Sequence, residues 1–152
     1  MSIPVDVLVS EAIAAAMSAK SFSGVLKTCP TVYREYVDPE AESFSSLQGF
    51  VSPGELDVAQ ETRGADMHTV LVQILIGMRC ESDAAKRNMR VLRAEIVDML
   101  RSETLPQTTP AFPENVKWAR CRTIESPGRQ LLGMDIWLCA ISAEYLALMA
   151  KE

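Results

Sequence analysis

Histidine is nearly absent: His68 is the only one in 152 residues, and the four cysteines, Cys29, Cys80, Cys121 and Cys139, include no Cys-x-x-Cys pair. The ligand spacings of a zinc site are therefore missing, and no metal or cofactor is expected. Glycine is sparse where a nucleotide would need it. Gly54, Gly64 and Gly77 stand singly, and none belongs to a G-x-x-x-x-G-K or G-x-G-x-x-G loop between a strand and a helix. Long apolar runs are lacking too, the richest being Val70 to Met78, so no membrane-spanning helix is expected. Asp6 and Glu11 interrupt the apolar positions between Ile3 and Met17 with no basic segment before them, which does not read as a secretory signal. Reduced cysteines in a cytosolic protein follow as the default.

Net positive charge is also absent. A formal charge of −5 and a pI near 5.0 leave the chain without a field to hold a phosphate backbone, so nucleic-acid binding is not expected. Lys86, Arg87, Arg90, Arg93 and Arg101 do gather on one helical segment, but Asp83, Glu95 and Asp98 share it, and the pattern reads as a mixed, solvated face.

What the chain does contain is enough apolar sequence for one folded domain spanning 1–152. Hydrophobic residues make up 48% and charged residues 23%, which is too apolar for a disordered segment. Val5, Leu8, Val9, Ala12, Ile13, Ala16 and Met17 form the stripe of an opening amphipathic helix, with Pro4 at its first turn and Ser21 to Gly24 ending it. Thr31 to Val37 alternates as a strand, and Leu47 to Val51 as a shorter one that the turn-like Ser52-Pro53-Gly54 closes. Glu55 to Arg63 is polar and shows no period. Between Met67 and Cys80 the rhythm is two residues, and Gly77 marks a bulge or a close backbone approach. From Ser82 or Asp83, both eligible N-caps, the rhythm becomes helical through Ala85, Met89, Leu92, Ile96 and Met99 or Leu100.

Pro106, Pro110 and Pro113 make residues 104–114 an extended connection. A hairpin follows, Val116 to Ile124 against Gln130 to Ile141, with Ser126-Pro127-Gly128 as its turn. Trp118 and Trp137 are candidate cross-strand neighbours in it. Leu132, Met134, Ile136, Leu138 and Ala140 share one face. If Trp137, with Leu131, Cys139 and Ile141, faces water, that side is too apolar to lack a partner chain. Residues 142–152 suit either a strand or a short helix. The fold class expected is α+β, a mostly antiparallel sheet with two helices packed on one face.

No set of side chains has the makings of an active site. His68 lies at the start of a strand, a position with no hint of a nucleophile beside it. Asp38, Glu40 and Glu42, flanked by Pro39 and serines, read as an acidic loop tip without the burial that separates catalytic carboxylates. The remaining enzymatic reading is a small cytosolic thiol enzyme using Cys80 or Cys121 with His68, the flanking cations being Arg79 or the pair Arg120 and Arg122. No catalytic, cofactor-binding or metal residues are assigned.

The order of elements nevertheless resembles a known family. The segment V-Y-R-E-Y-V-D-P at Val32 to Pro39, V-S-P at Val51 to Pro53, T-R-G-A-D-M-H-T-V-L-V-Q-I-L-I-G-M before the second helix, and I-S-A-E-Y at Ile141 to Tyr145 are similar to tailed-bacteriophage tail terminator or neck proteins. The Ala- and Met-rich C-terminus departs from that pattern. The resemblance implies a non-catalytic virion protein, assembled in the host cytoplasm. Its subunits form a ring, commonly a hexamer, that caps the tail tube, stops its polymerisation and meets the head-tail connector. DNA would only pass through the lumen, and no membrane is involved. The alternative within the same class is a head-completion or head-tail joining protein. Exposed sheet edges, the loop Asp38 to Ser45 and the segment Glu55 to Arg63 are the expected contact surfaces.

Overall fold

A computed structural model describes residues 4–38, 42, 44–60, 63–101, 105, 112–131 and 134–150; residues 55–57, 60, 126–131, 134 and 150 enter through their backbone only. Helix α1 spans Val5–Ala19, β1 Thr31–Tyr33, β2 Gln48–Gln60, β3 Ala65–Arg79, α2 Asp83–Leu100, β4 Val116–Leu131 and β5 Met134–Ala150. The strands form one sheet in the order β1-β2-β3-β5-β4, antiparallel except for the parallel pair β1 and β2. This is the α+β class the periodicities predict.

Both helices cover the same face. Val9, Ile13 and Met17 of α1 and Met89, Leu92, Ile96 and Leu100 of α2 share one buried cluster with Val70, Val72, Ile74 and Ile76 of β3 and with Trp137, Cys139, Ile141, Ala143 and Tyr145 of β5. Helix α1 lies over β1, β2 and β3, and α2 meets β5. Polar contacts fix the helices in place. Ser18 of α1 donates to the Thr31 carbonyl and accepts from its N–H, tying the helix to β1. Ser82 caps α2 by accepting from the Ala85 N–H at 3.1 Å, and Tyr145 closes the other end by donating its hydroxyl to the Leu100 carbonyl at 3.0 Å.

Several sequence expectations are corrected. The strand read over Thr31 to Val37 ends at Tyr33: Arg34 donates one more ladder bond to the Val51 carbonyl, and the chain then leaves the edge. The two Ser-Pro-Gly segments are not turns. Each is a register shift inside a longer strand, between Pro53 and Leu56 in β2 and between Ser126 and Arg129 in β4. Proline lacks a donor and interrupts the ladder without ending it when pairing resumes beyond. The polar segment after Gly54 is thus strand as far as Gln60, and β4 and β5 stay paired as far as Leu131 and Met134.

The C-terminal segment, ambiguous in sequence, continues β5 to Ala150, pairing with β3 along its whole length. The tryptophans are not neighbours. Trp118 pairs with Tyr145, and Trp137 lies opposite Met78. Trp137, Cys139 and Ile141 are buried beneath the helices, so no partner chain is needed to cover them. The proline-rich connection falls largely outside the described residues; of its ends, Leu105 and Phe112 are buried in the core cluster.

Candidate functional site

The sheet's second face carries no helix. Following the register outward from β2, its rows read Phe50, Leu75, Ala140 and Ile124; then Ser52, Gln73, Ser142 and Arg122; then Leu71, Glu144 and Arg120. One end of this face is covered by the segment between β1 and β2. There Phe44 and Phe50 meet edge to face, centroids 6.0 Å apart, over Ile136 and Leu138, with Val37 and Leu75 beside them. Phe44 reaches this position with φ = 48°. Gly77 lies directly beneath: a Cβ there would sit 2.6 Å from Leu138 Cδ2 and collide with the Phe44 ring. The sequence reading of a bulge or close backbone approach at Gly77 is corrected: the register is regular there, and what approaches is the Phe44 ring and the Leu138 side chain.

The remainder of the face is open. Ser142 donates to Gln73 Oε1 at 3.0 Å, and Arg120 pairs with Glu144. Beside them a depression of about 330 Å³ is lined by Leu71, Arg120, Cys121, Arg122, Ser142 and Glu144. A second hollow of about 290 Å³ runs beneath Glu35, Tyr36 and Val37 against Phe50, Gln73, Leu75 and Ala140. Strand β4 forms the outer edge. Lys117, Arg120, Arg122 and Ile124 are exposed along it, and the stretch Val116 to Ile124 contains no acidic residue. Lys117 and Arg122 have no ion pair with a described residue.

On the helix side β4 is anchored by charge. Arg90 donates from Nε to Glu125 Oε1 at 3.1 Å, and Arg93 pairs with the same carboxylate. Hydrogen bonds first from Arg90 and then from Arg93, reinforced by their charges, hold the Glu125 carboxyl below its ordinary range. Arg101 lies over the Trp118 ring at 5.8 Å. The helix read as a mixed solvated face thus spends three of its arginines on the neighbouring strand, counting Arg90, Arg93 and Arg101.

The thiol and imidazole are not brought together. His68 lies near the start of β3 and Cys80 just past its far end, about 40 Å apart at roughly 3.3 Å per residue. Cys121 shares a register row with Ala143 and Val72, which puts it about 16 Å from His68 at the same rise and a strand spacing of about 4.8 Å. His68 Nδ1 is buried with no hydrogen-bond partner among the described residues. Burial raises every thiol above its ordinary value: Cys29 and Cys80, Cys121 despite Arg101, and Cys139 to about 11 despite a hydrogen bond from Arg93. Nucleophilic thiols need the opposite shift.

Asp38 is exposed and Glu42 half-buried, while Glu40 lies outside the described residues. Among the described residues no three His, Cys, Asp or Glu side chains gather to hold a metal ion, and no helix is long and apolar enough to cross a membrane. Tyr36, 81% exposed, was not marked by the sequence because the alternation placed it in a strand; β1 stops three residues earlier.

Comparison of the sequence with protein-family models and with curated proteins finds no match. Among solved structures, a chain of the "Virion of native gene transfer agent (GTA) particle" superposes with a TM-score of 0.40 at 16% identity, covering 80% of this chain and 81% of that one.

Proposed function

We propose that this chain is a structural virion protein of the tailed-phage type. It associates into a ring at the head-proximal end of the tail, where it terminates tube polymerisation and joins the tube to the head connector. The observation that carries the reading is the sheet's lopsided finish. One face is sealed by two helices, while the other is open and bounded by a long edge strand whose outer backbone groups no described strand pairs. Such an edge is a template for association unless something covers it. The sequence resemblance to tail terminators supports the same role.

Function by shape also agrees with the scattered chemistry. Cys29, Cys80 and Cys139 are buried and Cys121 half-buried, none beside His68, and on the open face Gln73 pairs with Ser142 and Arg120 with Glu144. Head-to-tail association with a closing rotation produces a ring. The acidic net charge keeps a translocating DNA from adhering to its lumen. Purified chain mixed with its cognate tail-tube protein and followed by light scattering and electron microscopy tests this. The expected result is a ring of defined mass that halts tube elongation at substoichiometric amounts. Tubes growing unchecked in the presence of such a ring would move the protein to the connector side, and a monomer with no effect on tubes would remove the reading.

A further inference from the structure

The two sides of the open face carry opposite charge. Between Arg34 and Glu42 the chain has four acidic residues and one arginine, whereas Val116 to Ile124 has three basic residues and no acid. The first segment leaves β1, the second is β4, and these strands are opposite edges of the sheet. Within one copy they do not meet in an ion pair: Arg120 pairs with Glu144, and Lys117 and Arg122 with no described residue. In the middle of the acidic segment Tyr36 stands 81% exposed between Glu35 and Val37. Beside the β4 arginines lies the depression lined also by Leu71, Cys121, Ser142 and Glu144, the last paired with Arg120.

We infer that the surface joining two copies of this chain is this pair of edges: Tyr36 of one copy enters the depression beside Arg120 and Arg122 of the next, with Glu35 facing the exposed Lys117 and Arg122 of β4. A tyrosine entering a walled hollow has the character of an interface anchor, and an arginine against its ring adds attraction that grows as water is excluded. The opposed charges set orientation and suppress the competing arrangement. Two β4 edges laid side by side would bring Lys117 and Arg122 of each copy together, Arg120 being already engaged by Glu144, and like-charge repulsion disfavours that arrangement. Since the surfaces differ and lie on opposite edges, the contact is heterologous and propagates in one direction until it closes.

The inference rests on the self-assembly proposed above, and one set of sedimentation measurements on the full chain separates the two. Arg122→Glu and Glu35→Lys each raise the dissociation constant about tenfold or more, with the circular dichroism and melting of the native fold retained. An equimolar mixture of the two variants assembles again, because each altered surface meets its complement and each native surface a native one. Tyr36→Ser weakens assembly without rescue in such a mixture. A wild-type ring with no rescue in the mixture overturns this interface and leaves the ring standing. A wild-type chain that stays monomeric at all concentrations overturns both. Loss of duplex-DNA retention by Arg122→Glu with unchanged assembly mass also overturns the interface, since it would assign the arginines to nucleic acid.

Discussion

Phe44 is held at φ = 48°, a backbone region that costs an L residue about 1–2 kcal/mol. Full burial of its ring contributes about 1.5–3 kcal/mol, and Phe44 is 3% exposed. The hydrophobic gain is enough to offset the strain, and the ring keeps Phe44 packed over the open face. Gly77 is what leaves room for it. Gly77→Ala forces either the Phe44 ring or Leu138 aside, so the expected loss is about 1–3 kcal/mol of overpacking strain, read as a lower urea midpoint at unchanged slope. A neutral Gly77→Ala would mean that Phe44 does not occupy this place. Neither residue's role shows in the local pattern: Gly77 reads as a bulge or close backbone approach, whereas what crowds it are side chains more than thirty positions away in sequence.

At the scale of elements, α2 is fastened to β4 through Glu125 and to β5 through Tyr145. The Arg90 and Arg93 bonds depress the Glu125 carboxyl below its ordinary value of 4.5. A depressed folded-state value means stability that is fully present above pH 4.5 and is lost as pH falls through the folded value. The stability gap between wild type and Glu125→Gln should therefore be constant from neutrality to about pH 5 and shrink below it. Paired denaturant titrations across that range check the sign, and a gap that widened in acid would contradict it. Helix and strand rhythms predict these elements, but not the clamp, because its partners lie on elements separated by the connection at 102–115.

Across the whole molecule, Cys29, Cys80 and Cys139 are distributed through one buried cluster and so report its integrity together. With these three thiols raised by burial, they should react with an aromatic disulfide reagent at pH 8 far more slowly in native than in unfolded protein. The three should become reactive in a single transition that coincides with loss of circular dichroism. Any of these three reacting rapidly in the native state would revive the enzymatic reading, whereas the half-buried Cys121 is followed separately. The elevated Cys139 value also sets an alkaline limit. Its contribution is complete below the ordinary value of 9.0 and is lost as pH rises toward about 11.

Much of this architecture is legible in the sequence because period and sterics are local. Alternation over Met67 to Cys80, the helical stripes of α1 and α2, and Ser82 as a cap need no distant information. Likewise local is the lack of a nucleotide loop or zinc spacing. Tertiary structure alone decided which side of β5 the helices cover, since a two-residue period names two faces without ranking them. It decided that both Ser-Pro-Gly segments are bulges, since only a partner strand resuming beyond the proline distinguishes a kink from a turn. And it decided that the acidic segment and the β4 arginines lie on opposite edges of one sheet, because strand order follows from long-range pairing that no window of sequence contains.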